Sequence, residues 1–133
     1  MFEINTTANF EAAHRLSNYA GKCNQLHGHN WKVELNAKST TLNENGFVYD
    51  FTNLKKILNE FDHKTILKNN SENKNITKTY PKEWVIWLEF EPTAEQLAKY
   101  ICEKIFTNTN LDFLKITVWE NEKSCASFEQ HTS

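Results

Sequence analysis

The sequence of 133 residues is poor in arginine, proline, glycine and cysteine. Arg15 is the only arginine, and 15 basic residues stand against 17 acidic ones, which argues against a basic surface for nucleic acid. The chain does not start with a basic segment followed by an apolar run. No apolar stretch approaches the roughly 20 residues that cross a bilayer. We therefore expect a cytoplasmic protein that binds neither nucleic acid nor membrane, folded as a single domain over residues 1–133.

Cysteine is scarce and its number is odd. Cys23, Cys102 and Cys125 are the three thiols, and a compartment that keeps thiols reduced argues against a disulfide framework. Cys102 lies within a predicted helix and is interpreted as a packing residue. Cys125 and His131, near the end of the chain, have no neighbours in sequence that suggest a site.

The chain does contain a His-x-His pair, His27 and His29. Side chains two residues apart point the same way on a strand but in different directions on a helix, so the pair predicts a strand. The histidines share their parity with the apolar residues that follow, Trp31, Val33, Leu35 and Ala37. A buried polar ring without a partner costs on the order of 1–3 kcal/mol, and one metal ion would satisfy both rings.

A third histidine follows from the same parity argument. The even positions from Phe2 to Ala12 are mostly apolar, and His14 ends that inward-facing row. Three neutral imidazoles with an open fourth position are typical of a catalytic zinc site, so we predict Zn²⁺ on His14, His27 and His29. The alternative is that these are core or surface histidines satisfied without a metal.

The remaining pattern predicts an α+β fold. Apolar spacing and turn signals predict a helix at about 51–61, with Asp50 or Thr52 as N-cap, and a second helix that opens in a capping box with Thr93 as N-cap. A polar run at 68–79 reads as an exposed loop. The predicted strands lie at about 2–13, 28–39, 84–90, 114–122 and near 126–128.

Three further features carry chemistry, and the residues alone leave each one open. Cys23, four positions before His27, fits a fourth zinc ligand, a base or an inert small residue. Asp62 and His63 fit either a general acid oriented by a carboxylate or a helix terminus with a solvated histidine. Glu120 follows the core-facing residues of a predicted strand. It fits either an inward-facing carboxylate that is paired with a partner or a solvated residue at the strand end.

Six blocks of the sequence, in order, resemble the 6-pyruvoyl-tetrahydropterin synthase and 6-carboxy-tetrahydropterin synthase family. Together they span nearly the whole chain, although the segment 64–90 is longer than the resemblance leads us to expect. The blocks are Phe10-Glu11-Ala12-Ala13-His14-Arg15-Leu16, Cys23 with His27-Gly28-His29, Gly46-Phe47-Val48-Tyr49-Asp50-Phe51, Asp62-His63, Pro92-Thr93-Ala94-Glu95 and Trp119-Glu120.

The resemblance implies the tunnelling fold, an antiparallel sheet with two helices on one face. In that fold the subunits pool their strands into a barrel and commonly form a hexamer of two stacked trimers. For this chain it implies Zn²⁺ on the three histidines, Cys23 as a catalytic thiolate and a proton relay of Asp62 and His63. It further implies that Glu120 binds the pterin, and that Thr93 and Glu95 belong to the substrate-binding residues.

The resemblance also implies the substrate, 7,8-dihydroneopterin triphosphate. The three residues between Cys23 and His27 are similar to the carboxy-type enzymes of queuosine biosynthesis. That reaction forms 6-carboxy-5,6,7,8-tetrahydropterin and releases acetaldehyde and triphosphate. The alternatives are the pyruvoyl synthase reaction, which eliminates triphosphate from the same substrate, and a non-catalytic pterin-binding module stabilised by zinc.

Overall fold

The structure, a computed structural model, describes residues 1–132 and is built on a six-stranded mixed sheet. Ser133, the last residue of the predicted domain, lies outside the described residues. The strands lie in the order β4-β3-β1-β2-β5-β6. In chain order the elements are β1 (Phe2–His14), β2 (His27–Ser39), α1 (Thr52–Leu58), β3 (Lys64–Lys68), α2 (Ser71–Ile76), β4 (Val85–Leu88), α3 (Ala94–Thr107), β5 (Phe113–Trp119) and β6 (Cys125–His131).

The hairpin of β1 and β2 is the centre of the sheet. Its antiparallel register runs from Phe2 opposite Ser39 to His14 opposite His27. One face of each strand is largely buried, as the alternation of apolar and polar residues predicts. On that face Phe10 and Trp31, which lie opposite each other in the register, belong to the core that the helices complete. The predicted inward-facing rows on both strands are confirmed.

The helices α1 and α3 cover the buried face of the sheet and complete an α+β fold. α3 packs against β5 and β6, and α1 packs against β1. α3 begins where the capping box predicts, because the Thr93 hydroxyl accepts a hydrogen bond from the Gln96 N–H at 3.1 Å. At the start of α1 the Asp50 carboxylate accepts from the Thr52 N–H at 2.9 Å.

The predicted antiparallel sheet with two helices is wrong in one region, residues 64–88. There β3 pairs parallel with β1, β4 pairs parallel with β3, and the short helix α2 connects them. β3 has five residues, too few to show a clear alternation. α2 lies in the run predicted as a loop, and its six residues carry no apolar stripe.

Several predicted boundaries also shift. α1 ends at Leu58, β4 is shorter than predicted, β5 ends at Trp119, and β6 extends over Cys125–His131. Among residues 1–132, no helix has both the length and the apolar character needed to cross a membrane. The cytoplasmic location stays a prediction.

Candidate functional site

Four side chains meet where the β1–β2 hairpin and the end of β5 come together. One ligand atom from each of His14, His27, His29 and Glu120 lies within 4.8 Å of the others. His14 and His27 face each other in register, and their ring centroids are 4.6 Å apart. Glu120 directly follows β5, on the face that the strand's parity predicts. The sheet register therefore brings together residues that are far apart in sequence.

Backbone carbonyls orient two of the rings. His14 Nδ1 lies 2.8 Å from the Pro92 oxygen, and His27 Nδ1 lies 2.7 Å from the Gln25 oxygen. A carbonyl can only accept a hydrogen bond, so Nδ1 carries the proton in both rings and donates it. Each Nε2 keeps its lone pair and is directed towards the cluster, the arrangement usual for metal-binding histidines.

The buried imidazole nitrogens at the centre of the cluster fit a metal ion. Within residues 1–132, His14 Nε2 and His29 Nε2 are buried without a hydrogen-bond partner. Glu120 Oε1 lies 3.3 Å from the first and 3.0 Å from the second, close enough for electrostatic contact but without hydrogen-bond geometry. Three imidazoles and a carboxylate are donors that a divalent transition metal accepts, so the cluster could bind a metal.

The protonation of the rings also suits a metal site. Burial lowers the pKa of His14 below its ordinary 6.5, and the neighbouring His27 adds to this effect, whereas the Pro92 carbonyl and Glu120 oppose it. Burial likewise lowers the pKa of His29, against the opposing field of Glu120. Both rings are therefore neutral at pH 7, which is the form that coordinates metals.

Trp31 forms the floor of the cluster. It is fully buried, and its ring lies nearly perpendicular to those of His14 and His29, at centroid distances of 4.9 and 5.3 Å. Its indole N–H donates to the Ala12 carbonyl at 3.3 Å. The parity of β2 placed Trp31 in the right row, but its role beneath the histidines was missed because only the register shows it.

Two cavities open beside the cluster and share Gly28, His29 and Asn30. The first, of about 610 Å³, is also lined by Glu120 and Trp119, and the second, of about 510 Å³, by His63 and Trp84 among others. Both volumes are in the range of small-molecule sites.

Asp62 and His63 form a pair between α1 and β3. The Asp62 carboxylate accepts from the Glu11 N–H at 2.9 Å and lies 3.2 Å from His63 Nδ1. The Glu11 N–H, helped by Lys55 and His63, lowers the pKa of Asp62. His63 is 76% exposed, has a positive φ of 60°, and lines the second cavity together with His29. The pair thus places His63 at the cavity wall with the Asp62 carboxylate beside its ring.

The other predicted site residues lie outside the four-residue cluster. Cys23 is half-buried in a short 3-10 turn, Lys22–Asn24, within the loop that leaves the sheet at His14 and returns at His27. Thr93 uses its hydroxyl to cap α3, and Glu95 is exposed in the first turn of that helix. The other thiols differ in burial. Cys125 is exposed, whereas Cys102 is buried and burial raises its pKa to about 12.

Comparison with known proteins places this geometry in a family. The family model described as 6-pyruvoyl tetrahydropterin synthase matches residues 3–131. The chain belongs to the 6-pyruvoyl tetrahydropterin synthase family. A family member from Aquifex aeolicus, named 6-carboxy-5,6,7,8-tetrahydropterin synthase, is 30% identical, with 97% of this chain and 98% of that protein covered. One of the same name from Haemophilus influenzae is 29% identical over 98% of this chain and 100% of that protein.

Solved structures of the family share the fold. The 6-pyruvoyl tetrahydropterin synthase of Plasmodium falciparum superimposes with a TM-score of 0.70 at 22% identity, over 98% of both chains. That of Caenorhabditis elegans gives a TM-score of 0.63 at 25% identity, over 97% of this chain and 95% of that chain. The tunnelling fold that the sequence resemblance implies is therefore confirmed for the single chain, with the parallel pairs of β3 as the departure from a purely antiparallel sheet.

Proposed function

We propose that this family member is a zinc-dependent 6-carboxy-5,6,7,8-tetrahydropterin synthase. With one molecule of water, it converts 7,8-dihydroneopterin triphosphate to 6-carboxy-tetrahydropterin, acetaldehyde and triphosphate, in queuosine biosynthesis. The observation that carries this proposal is the cluster of three histidines and Glu120 beside two cavities of ligand size, both of which are lined by His29. The names of the curated relatives favour the carboxy-type reaction.

His14, His27 and His29 would hold the zinc ion. Two of these rings are fixed in the tautomer that leaves Nε2 free, and imidazole is a common ligand of zinc. When bound, zinc supplies Lewis-acid chemistry that favours loss of a proton from the hydroxyl groups of the substrate side chain. Because the reaction needs a metal position open to substrate, neither Cys23 nor Glu120 is proposed as a permanent fourth ligand.

The remaining residues bind the substrate and move its protons. Cys23, on the loop between two ligand strands, acts as the base on the side chain of the substrate. His63, oriented by the Asp62 carboxylate and exposed at the second cavity, completes the relay. Glu120 has acceptor oxygens for the 2-amino and ring N–H groups of a pterin.

Thr93 and Glu95 lie at the start of α3, directly after Pro92, whose carbonyl orients His14. From this place beside the cluster we propose that they contact the substrate. The pocket is completed by neighbouring subunits in a homo-oligomer, most simply the hexamer of the tunnelling fold.

The pyruvoyl synthase reaction is the second proposal, favoured by the name of the family model and of the solved structures. It uses the same substrate and the same site residues, so only the product distinguishes the two reactions. A binding module without catalysis is the third, and the pairing of Asp62 with His63 beside a cavity argues against it.

The test is to incubate the zinc-loaded protein with 7,8-dihydroneopterin triphosphate and identify the products by mass spectrometry. We expect 6-carboxy-tetrahydropterin and acetaldehyde. A pyruvoyl product would establish the second proposal, and unchanged substrate would support the third.

Cys23→Ala is the informative variant and Cys125→Ala its matched control, because Cys125 is an exposed thiol outside the cluster. We expect Cys23→Ala to keep its metal and lose at least a hundredfold in kcat, as removal of a general base does. Loss of metal from this variant would instead favour Cys23 as a zinc ligand.

A further inference from the structure

Arg15, the residue after His14, is a buried charge that has no role in the site described above. It is 3% exposed. Removing a guanidinium from water is unfavourable unless its donors are paired. Its Nε donates to the Asn24 carbonyl at 2.7 Å, Nη2 donates to Asn24 Oδ1 and to Glu72 Oε1 at 3.0 Å each, and Nη1 donates to Asn73 Oδ1. All three guanidinium nitrogens are therefore held, which fixes the plane of the group.

On one side this guanidinium closes the loop that carries Cys23. Asn24, which accepts twice from Arg15, follows Cys23 directly and donates its amide to the Leu16 and Ser17 carbonyls at 3.3 Å each. The Leu16 N–H donates to the Cys23 carbonyl at 2.8 Å. These hydrogen bonds join the two sides of the loop at Cys23, and most of them involve Arg15 or its partner Asn24.

On its other side the guanidinium is anchored to α2. Asn73 is fully buried, and its amide donates to the Lys68 carbonyl at 2.8 Å, at the end of β3. The Asn73 N–H is held in turn by the Asn70 side chain at 2.8 Å. Asn73 therefore links the guanidinium to the end of β3, the strand that pairs in parallel with β1 at His14.

The metal cluster does not use this network. Pro92 and Gln25 carbonyls orient His14 and His27, and no hydrogen bond joins Arg15 to any of the three histidine rings within residues 1–132. A change at Arg15 should therefore act first on the loop. Because Gln25 follows Asn24 in that loop, the zinc content of each variant is measured alongside kcat.

We propose that Arg15 is a positioning residue that holds the Cys23 loop against α2 and so places the thiol for proton transfer. This proposal rests on the proposed catalytic role of Cys23. It gives α2 a function, since that helix supplies Asn73 and Glu72 as partners of the guanidinium.

The experiment compares Arg15→Lys and Asn24→Ala with Lys74→Ala, a control at an exposed residue of α2. Lysine keeps the charge but has one nitrogen in place of the planar fork. Kinetics give kcat and KM, and metal analysis gives zinc per chain. Alkylation with iodoacetamide, followed by peptide mass spectrometry, gives the reaction rate of Cys23 relative to the exposed Cys125 of the same molecule.

For Arg15→Lys we expect kcat to fall 10- to 100-fold with KM within twofold and zinc content unchanged, as for other groups that position a reacting side chain. The Cys23 to Cys125 rate ratio should change at least threefold. Asn24→Ala should change kcat and the Cys23 to Cys125 ratio in the same direction but by less. Lys74→Ala should change neither of them. If Arg15→Lys does not fold, the result for Asn24→Ala decides.

Unchanged kcat, or a fall in kcat with an unchanged Cys23 to Cys125 ratio, would overturn the proposal, and so would loss of zinc as the primary effect. If the wild-type protein does not convert the pterin substrate, the proposed function fails. The alkylation ratio then still decides whether Arg15 positions the Cys23 loop.

Discussion

At the scale of single residues, the metal cluster depends on which ring nitrogen of each histidine carries the proton. The carbonyls of Pro92 and Gln25 decide this for His14 and His27. The sequence predicts the shared face of the histidines and Glu120, because strand parity is a local property. It could not predict the two carbonyls, since every residue has one and only the fold selects which of them faces a ring.

His27→Ala tests the cluster directly. Removing one of three imidazoles should reduce bound zinc from about one per chain to a small fraction and abolish turnover, because two imidazoles bind zinc much more weakly than three. Metal analysis after dialysis measures this. His131→Ala is the matched control, since His131 is exposed at the end of β6. A fully active His27→Ala protein that contains no metal would contradict the assignment.

The lowered pKa values of His14 and His29 predict an acid-sensitive metal-free protein. Their pKa is lower in the folded chain than the ordinary 6.5 of an unfolded one, so the unfolded state binds more protons in this window. The contribution of these two neutral rings to the free energy of unfolding is complete above about pH 6.5, the ordinary pKa of histidine. It is lost as the pH falls towards their lower pKa in the folded chain. The lowered pKa of Asp62 also reduces the free energy of unfolding as the pH falls, but at more acidic pH, where carboxyl groups titrate.

The measurement is the urea midpoint of the metal-free protein at pH 7.5 and pH 5.5. We expect a lower midpoint at pH 5.5, and a smaller difference for His14→Gln, which lacks one of the titrating rings. His131→Ala should behave as the wild type. Equal midpoints at the two pH values would mean that burial does not perturb the two rings.

At the scale of elements, long periodic segments were predictable and short ones were not. The β1–β2 hairpin and the capping box of α3 have local signals, alternation over 13-residue strands in one case and Thr93 before Gln96 in the other. β3 and α2 are held by tertiary contacts, parallel pairing with β1 and the buried Asn73, which no local pattern encodes.

Thr93→Ala should destabilise the protein by about 1 kcal/mol, because the Gln96 N–H loses its acceptor at the first turn of α3. Urea unfolding of the metal-free protein measures the change in the free energy of unfolding. Thr93→Ser keeps a hydroxyl and should recover most of the loss. If serine and alanine destabilise equally, the cap contributes little and the threonine methyl is the stabilising group.

At the scale of the whole molecule, the sheet is open at both ends. In the described strand order, β4 and β6 each pair on one side only. An unpaired strand edge exposes N–H and C=O groups that proteins cover or close. Exposed aromatic residues, including Trp87 in β4 and Trp84 directly before it, add apolar surface to this side of the molecule.

We therefore predict a cyclic homo-oligomer in which neighbouring subunits cover these edges, as a hexamer of two stacked trimers. Light scattering at micromolar protein should give a mass of about six times that of the chain. A monomer that is fully active would contradict both the shared barrel and a pocket completed by a neighbouring subunit.

The register of β1 and β2 limits where this protein can accept insertions and deletions. Adding or removing one residue between Trp31 and His29 would turn both histidines of β2 to the opposite face of the sheet, while His14 stayed in place. The strands can therefore change length near the cluster only in steps of two residues. The loop between His14 and His27 has no such parity, so a change of one residue within it would not turn any of the three imidazoles to the opposite face of the sheet.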